Sequence, residues 1–174
     1  MHDPSDLPAR MRRAARIEGQ FRLRSGATAT EYFDKYRFES DPVLLRAIAE
    51  AMTELLPSEV DALAGLELGG VPLATMLSQL TGYPTIFVRK RAKEYGTRQL
   101  AEGGEVAGKR LVVVEDVVTT GGQVIESTQA LRSLGASIDT AVCAIDREAG
   151  GRDAMADIDL ELRSLFTKQD LDGL

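Results

Sequence analysis

Cysteine and histidine are nearly missing from this chain of 174 residues: Cys143 is the sole cysteine and His2 the sole histidine. A lone cysteine excludes an internal disulfide and fits a reducing compartment. A lone histidine beside the first residue leaves neither histidine acid–base catalysis nor a histidine metal site to build on. Long apolar runs are absent too. None approaches the roughly 20 residues that a membrane-spanning helix needs, and the opening MHDPSDLPARMRRAARIEG has no hydrophobic signal core. Positive charge is the minority sign, with 21 Lys and Arg against 27 Asp and Glu and a formal net charge of -6, which argues against a broad nucleic-acid footprint. These absences predict a soluble, cytoplasmic protein with no membrane and no nucleic-acid partner. No repeat or low-complexity segment interrupts the chain, and residues 1–174 are expected to form a single domain.

What is present is a change of rhythm. Leu7 to Ile17 reads as a short basic helix ended by Gly19. FRLRSGATATEYFDKYRFES alternates apolar and polar residues around Ser25-Gly26, the pattern of an edge strand pair. Together these give a small N-terminal hood over about residues 1–40. Asp41-Pro42 reads as a helix start, a capping carboxylate followed by proline at the first helical position. Leu44, Leu45, Ile48, Ala49, Met52, Leu55 and Leu56 continue at helical spacing until Pro57. From there apolar strands alternate with amphipathic helices: VDALAGLEL, VPLATMLSQLTG, TIFVRK, RLVVVED, QVIESTQALRSLG, SIDTAVCAID and a last strand in DIDLELRSLFT. That alternation predicts an α/β core over about residues 41–174, a mostly parallel central sheet flanked by helices. The long polar connection RAKEYGTRQLAEGGEVAGK has no apolar period and is expected to serve function.

The stretch VVVEDVVTTGG, residues 112–122, concentrates the chemistry. In open α/β sheets ligands bind beyond the carboxyl ends of strands, and Glu115-Asp116 stands at such an end. Adjacent carboxylates repel, and neither leaves water readily, so something must compensate them. The TTGG that follows supplies hydroxyls, unobstructed backbone N–H groups and the start of a helix near Gln123, which together make a phosphate cradle. Two acids that accept hydrogen bonds from sugar hydroxyls beside a phosphate loop would hold a sugar phosphate at both ends. On this reading the compensation is the ligand.

These residues resemble the signature of the type I phosphoribosyltransferases, which bind 5-phosphoribosyl 1-diphosphate. FRLRSG with EYFD, VRKRAKEYG and AIDREAGG are similar to the substrate segment, catalytic loop and strand-end Asp-Arg of the orotate phosphoribosyltransferases, in matching order across roughly residues 20 to 151. The resemblance implies the type I phosphoribosyltransferase fold and transfer of a 5-phosphoribosyl group to orotate, giving orotidine 5-phosphate and diphosphate in pyrimidine biosynthesis. It implies Lys93, Glu115 and Asp116 as catalytic residues. The sugar diphosphate would be held by Arg89, Lys90, Lys93, Tyr95, Gly69, Gly70, Glu115, Asp116 and the run Val117, Val118, Thr119, Thr120, Gly121, Gly122, Gln123. Orotate would meet Arg24, Tyr32, Phe33, Thr119 and Arg147. Magnesium is the implied cofactor, carried mainly on substrate oxygens without a dedicated protein site. A homodimer is implied as well, with the loop 90–104 shared between subunits. Tyr95 stands where many members have histidine, and Arg24 where lysine is common.

Independent chemistry points the same way. Displacing diphosphate from an anomeric carbon leaves positive charge on the sugar and negative charge on the leaving group. Fixed carboxylates near one and cations near the other act where charge develops. Alternative readings are a phosphoribosyltransferase for another nucleobase and a non-catalytic regulator that senses the sugar diphosphate; Lys93 together with both acids argues against the regulator. GGEVAGKR fits G-x-x-x-x-G-K but precedes a strand and lacks the final Ser or Thr, so it is no nucleotide loop. Cys143, in an apolar strand, reads as a small core residue. Arg12, Arg13 and Arg16 read as a solvated helix face or subunit contact.

Overall fold

The computed structural model describes residues 6–22, 26, 28–91 and 100–173. Helix α1 (Leu7–Ala15) buries Leu7, Met11 and Ala15, one residue per turn along a single face. The chain then turns into β1 (Arg16–Arg22), which pairs antiparallel with β2 (Thr28–Phe33). Gly19 therefore does not stop a helix. It lies inside β1 where the register shifts between Glu18 and Phe21, and a Cβ there would come 3.1 Å from the Phe21 ring. A second departure follows at once: KYRFE is not strand but the single helical turn α2 (Tyr36–Glu39), which buries Phe38 and Glu39.

Helix α3 (Pro42–Met52) starts as expected, with Asp41 Oδ1 accepting from Val43 N at 2.9 Å and Leu44 N at 3.0 Å. A 3-10 turn, Thr53–Leu55, carries the chain to Pro57. The core sheet is six-stranded in the order β5-β4-β3-β6-β7-β8. Its members are β3 (Ala62–Leu66), β4 (Thr85–Val88), β5 (Ala101–Glu102), β6 (Arg110–Val118), β7 (Ser137–Asp146) and β8 (Glu161–Thr167). All neighbouring pairs are parallel except β4–β5. The polar connection after TIFVRK thus contains a short edge strand. Helices α4 (Gly70–Thr81), α5 (Gly122–Ser133), α6 (Gly151–Ala156) and α7 (Lys168–Asp172) complete the chain, the last two unforeseen in the sequence.

Strand alternation divides the core in two. Along β6, Val112 and Val114 join Ile48, Leu73 and Leu77 on the face covered by α3 and α4, with Met11 and Phe38 of the hood. Leu111 and Val113 join Leu131 and Met155 on the opposite face. Burying each such side chain stabilises the fold by about 1.5–3 kcal/mol. The same alternation fixes the two acids at the end of β6: Asp116 falls on the hood side with Val112 and Val114, Glu115 on the other. Cys143 is fully buried in β7, and burial pushes its thiol far above the usual range, so it serves packing.

Candidate active site

The chain leaves β3 for α4 and then β4 on one side, and leaves β6 for α5 and then β7 on the other. The crevice between the carboxyl ends of β3 and β6 is therefore the switch point of the sheet, where α/β proteins seat ligands. Two glycine turns close it. A Cβ at Gly69 would stand 1.7 Å from Asp116 Oδ2, and one at Gly70 would stand 2.1 Å from the Val114 carbonyl oxygen. The Gly69-Gly70 turn therefore lies directly on the end of β6, Gly70 against its backbone and Gly69 against the Asp116 side chain. On the far side Gly151 does the same for the threonine loop, with a virtual Cβ 2.5 Å from the Thr119 carbonyl oxygen. Gly121, at φ 77°, makes the left-handed turn into α5 and rests 3.3 Å from Gly151 Cα at its virtual Cβ.

Between these turns Thr119, Thr120 and Gly122 are exposed, and nothing lies within 4 Å of where a Gly122 Cβ would be. They precede and open α5, a helix of 12 residues. Val118 is buried, Val117 half-buried, and Gln123 donates from Nε2 to Ser127 Oγ at 3.1 Å.

The acids are not solvated. Asp116 is 0% exposed and Glu115 8%. Glu115 Oε1 accepts from Asp116 N at 2.9 Å, and Asp116 Oδ1 accepts from Val117 N at 2.6 Å. The compensating partner is in the protein: Lys35 Nζ, from the hood, donates to Asp116 Oδ1 at 3.0 Å and lies 2.7 Å from Oδ2. This corrects the expectation that a ligand alone offsets the two charges. Glu39, 7% exposed, lies against Asp116 from the same hood turn. Burial and the hydrogen bond with Asp116 push the Glu39 carboxyl up to about 9. Burial likewise pushes Glu115 well above the carboxylate range, with Asp116 contributing. Asp116 moves down: burial opposes its charge, but hydrogen bonds from Glu115, Glu39 and Lys35 outweigh it. Lys35 moves up, its own burial overcome by Asp116.

Three of the residues expected at the base, Tyr32, Phe33 and Arg147, come together. The Arg147 guanidinium sits 5.4 Å from the Phe33 ring centroid. Tyr32, Phe33 and Arg147 share a cavity of about 200 Å³ with Arg12, Arg16, Glu31, Leu171 and Asp172. Arg12 lines it from α1 and the exposed Arg16 from the start of β1. Arg147 is placed by its own N–H donating to the Val118 carbonyl at 2.8 Å, and the next residue, Glu148, accepts from Gln169 N of α7 at 3.0 Å. Among the cations expected at the diphosphate, Arg89 faces Glu102 of β5 at 3.6 Å, while Lys90 is exposed and its N–H donates to Glu67 Oε1 at 2.7 Å. Arg24, Lys93 and Tyr95 lie outside the described residues. Sequence reasoning missed Lys35 and Glu39. Their four-residue spacing was the available signal, since it places them on one side of a helical turn.

Comparison with known proteins agrees with this geometry. Residues 37–165 match the family model described as a phosphoribosyl transferase domain. That match and the mostly parallel sheet flanked by helices define a type I phosphoribosyltransferase. The chain is 57% identical over 167 residues to the orotate phosphoribosyltransferase of Nocardioides sp. strain JS614, covering 96% of this chain and 93% of that one. It is 42% identical over 172 residues to that of Halobacterium salinarum, covering 98% of each. The crystal structure of Mycobacterium tuberculosis H37Rv orotate phosphoribosyltransferase in complex with Fe(III) dicitrate superposes at a TM-score of 0.88 and 33% identity, over 99% of this chain and 100% of that one. The complex of that enzyme with 5-phospho-alpha-D-ribosyl 1-diphosphate superposes at a TM-score of 0.84 and 30% identity, over 99% and 100% of the two chains. The chain belongs to the orotate phosphoribosyltransferase family.

Proposed function

We propose that this protein transfers the 5-phosphoribosyl group of 5-phosphoribosyl 1-diphosphate to orotate, giving orotidine 5-phosphate and diphosphate. The observation that carries the reading is the contact of the Gly69 turn with Asp116, beside the open threonine loop, at the switch point of the sheet. In this reading Thr119 to Gln123 receive the 5-phosphate through backbone N–H groups and hydroxyls, with Val117 and Val118 leading into the loop. Glu115 and Asp116 take the ribose hydroxyls, and the negative charge of Asp116 favours the positive charge that builds on the ribose as its bond to diphosphate breaks. Gly69 and Gly70 leave room for the diphosphate, and Arg89, Lys90, Lys93 and Tyr95 attend it as it departs. Arg147 faces the orotate carboxylate, Tyr32 and Phe33 lie along the ring, and Arg24 and Thr119 complete the base site.

Magnesium fits as an ion carried by the diphosphate. A hard cation that keeps several waters needs few protein donors, and among the described residues no group of three or more His, Cys, Asp and Glu is placed to hold one. When bound, it supplies charge neutralisation on the leaving group. We further propose that the chain acts as one domain in a homodimer whose loop 90–104 serves the neighbouring site. A cytoplasmic setting is supported by the free, buried Cys143 and by the lack, among the described residues, of a helix long and apolar enough to cross a membrane.

The test is to incubate the purified protein with 5-phosphoribosyl 1-diphosphate, magnesium and, in turn, orotate, uracil, adenine and hypoxanthine, then to measure diphosphate and nucleotide. Orotidine 5-phosphate from orotate alone is expected. Turnover of another base in preference to orotate, or tight binding of the sugar diphosphate without turnover, overturns the proposal.

A further inference from the structure

The hood does more than cover the base. Lys35 stands two residues beyond Phe33, so one short segment presents a ring to the Arg147 cavity and an ammonium to the sugar crevice. The ammonium bonds the one acid that strand alternation turns toward the hood, and that acid has no contact with solvent. A carboxylate so placed does not stay charged unaided. The groups facing it are Glu39 and Lys35 from the hood turn, with Tyr36 beneath Lys35 at 5.3 Å, and Glu115 from its own strand. The Gly69 turn that covers it brings only backbone. Two of its neighbours are therefore acids, and among the described residues the cation bonded to it is Lys35.

Glu39 supplies a second observation. Its Oε1 is buried without a hydrogen-bond donor, an arrangement a carboxylate tolerates poorly and a protonated acid satisfies by donating. One proton on Glu39 and one ammonium on Lys35 leave Asp116 as the single fixed negative charge on the hood side of β6.

We infer that Lys35 is a positioning residue for phosphoribosyl transfer: its ammonium keeps Asp116 ionised and aimed at the crevice between β3 and β6, while Glu39 closes the cluster as a neutral acid. The inference rests on the proposed function, because Asp116 is given its role there. It goes further in assigning the state of that acid to two hood residues, and in linking the segment that meets the base to the charge that meets the sugar.

The test is the pH profile of kcat/KM for orotidine 5-phosphate formation. With Lys35→Met, Asp116 is left buried among acids and takes up a proton, so kcat/KM should fall at least about tenfold at pH 7 and recover as pH rises. The acid limb should move to higher pH. Lys35→Arg, which keeps the cation, should hold the limb at the wild-type position. A Lys35→Met profile that keeps the wild-type shape, with or without a uniform drop, overturns the inference. Should Lys35→Met not fold, the wild-type protein decides. In a sample labelled at the aspartate and glutamate carboxyl carbons, the Asp116 signal should be that of a carboxylate and the Glu39 signal that of an acid at pH 7. The reverse assignment overturns the inference. That measurement needs no turnover, so an inactive wild-type protein would sink the functional reading while the cluster is still judged on its own.

Discussion

Gly69 rests on the carboxylate of Asp116, so close that a Cβ at position 69 would lie 1.7 Å from Oδ2. Gly69 is in the ordinary right-handed region, at φ -68°, so the requirement is space and not backbone freedom. Gly69→Ala must push the turn or the acid aside. The overpacking should cost about 1–3 kcal/mol of stability, seen as a lower Tm. Because it moves the acid and the diphosphate turn together, kcat/KM should fall by about 100-fold or more, beyond what partial unfolding explains. A stable variant with wild-type kinetics would show that the contact is dispensable.

Arg147 stands over the Phe33 ring at the proposed base site. Losing one partner of a buried, charge-assisted pair costs roughly 2–5 kcal/mol. Arg147→Ala should therefore raise the KM for orotate by more than tenfold while leaving the KM for the sugar diphosphate within about threefold. Steady-state kinetics with each substrate varied in turn checks this, and equal effects on both would count against the assignment.

Glu39 gives a stability prediction with a definite sign. Its carboxyl is raised in the folded state from an ordinary 4.5 to about 9. Below the ordinary value both folded and unfolded chains carry the proton and nothing is lost. Between the two values the unfolded chain ionises while the folded chain does not, so stability drains away as pH rises. Glu39→Gln cannot titrate and escapes this loss. Its Tm should match the wild type near pH 4 and exceed it increasingly toward pH 9, with an advantage on the order of 3 kcal/mol at pH 7. Thermal melts across this range measure it. An advantage that stays constant with pH would mean that Glu39 is ionised throughout.

Shared active sites can be tested by complementation. Lys93→Ala and Asp116→Asn should each be inactive. If the loop 90–104 serves the partner of a two-fold dimer, a mixed dimer has one site with both lesions and one with neither. Random exchange of equal amounts makes about half the dimers mixed and restores roughly a quarter of wild-type activity. Exchange confirmed by mass with no recovery would place the loop over its own site.

How much of this the sequence disclosed depended on distance along the chain. VVVEDVVTTGG was legible because a strand buried on both faces, its terminal acids and its threonine–glycine turn are contiguous. The Asp41 cap and the hairpin around Gly26 were legible for the same reason. Lys35 was not, because its partner lies 81 positions away and the four-residue spacing to Glu39 names no partner by itself. Gly19 was misread because glycine ends helices and also relieves irregular strands, and only the pairing with β2 decides. The short helices α6 and α7 escaped because 6 and 5 residues are too few to show a period. The glycine pair in AIDREAGG was visible, but its reason, the approach of Gly151 to the Thr119 carbonyl, exists only once β6 and β7 are side by side.

The strand order carries a consequence for synthesis. β6 sits inside the sheet between β3 and β7, yet it leaves the ribosome after the hood, α3, β3, α4 and β4. Until it arrives, β3 has an open edge, the Gly69 turn has no strand end to lie on, and the Lys35 ammonium lacks Asp116. A nascent chain halted before Arg110 should therefore present an unfinished, protease-sensitive surface along β3, and the sugar site should appear in one step when β6 docks.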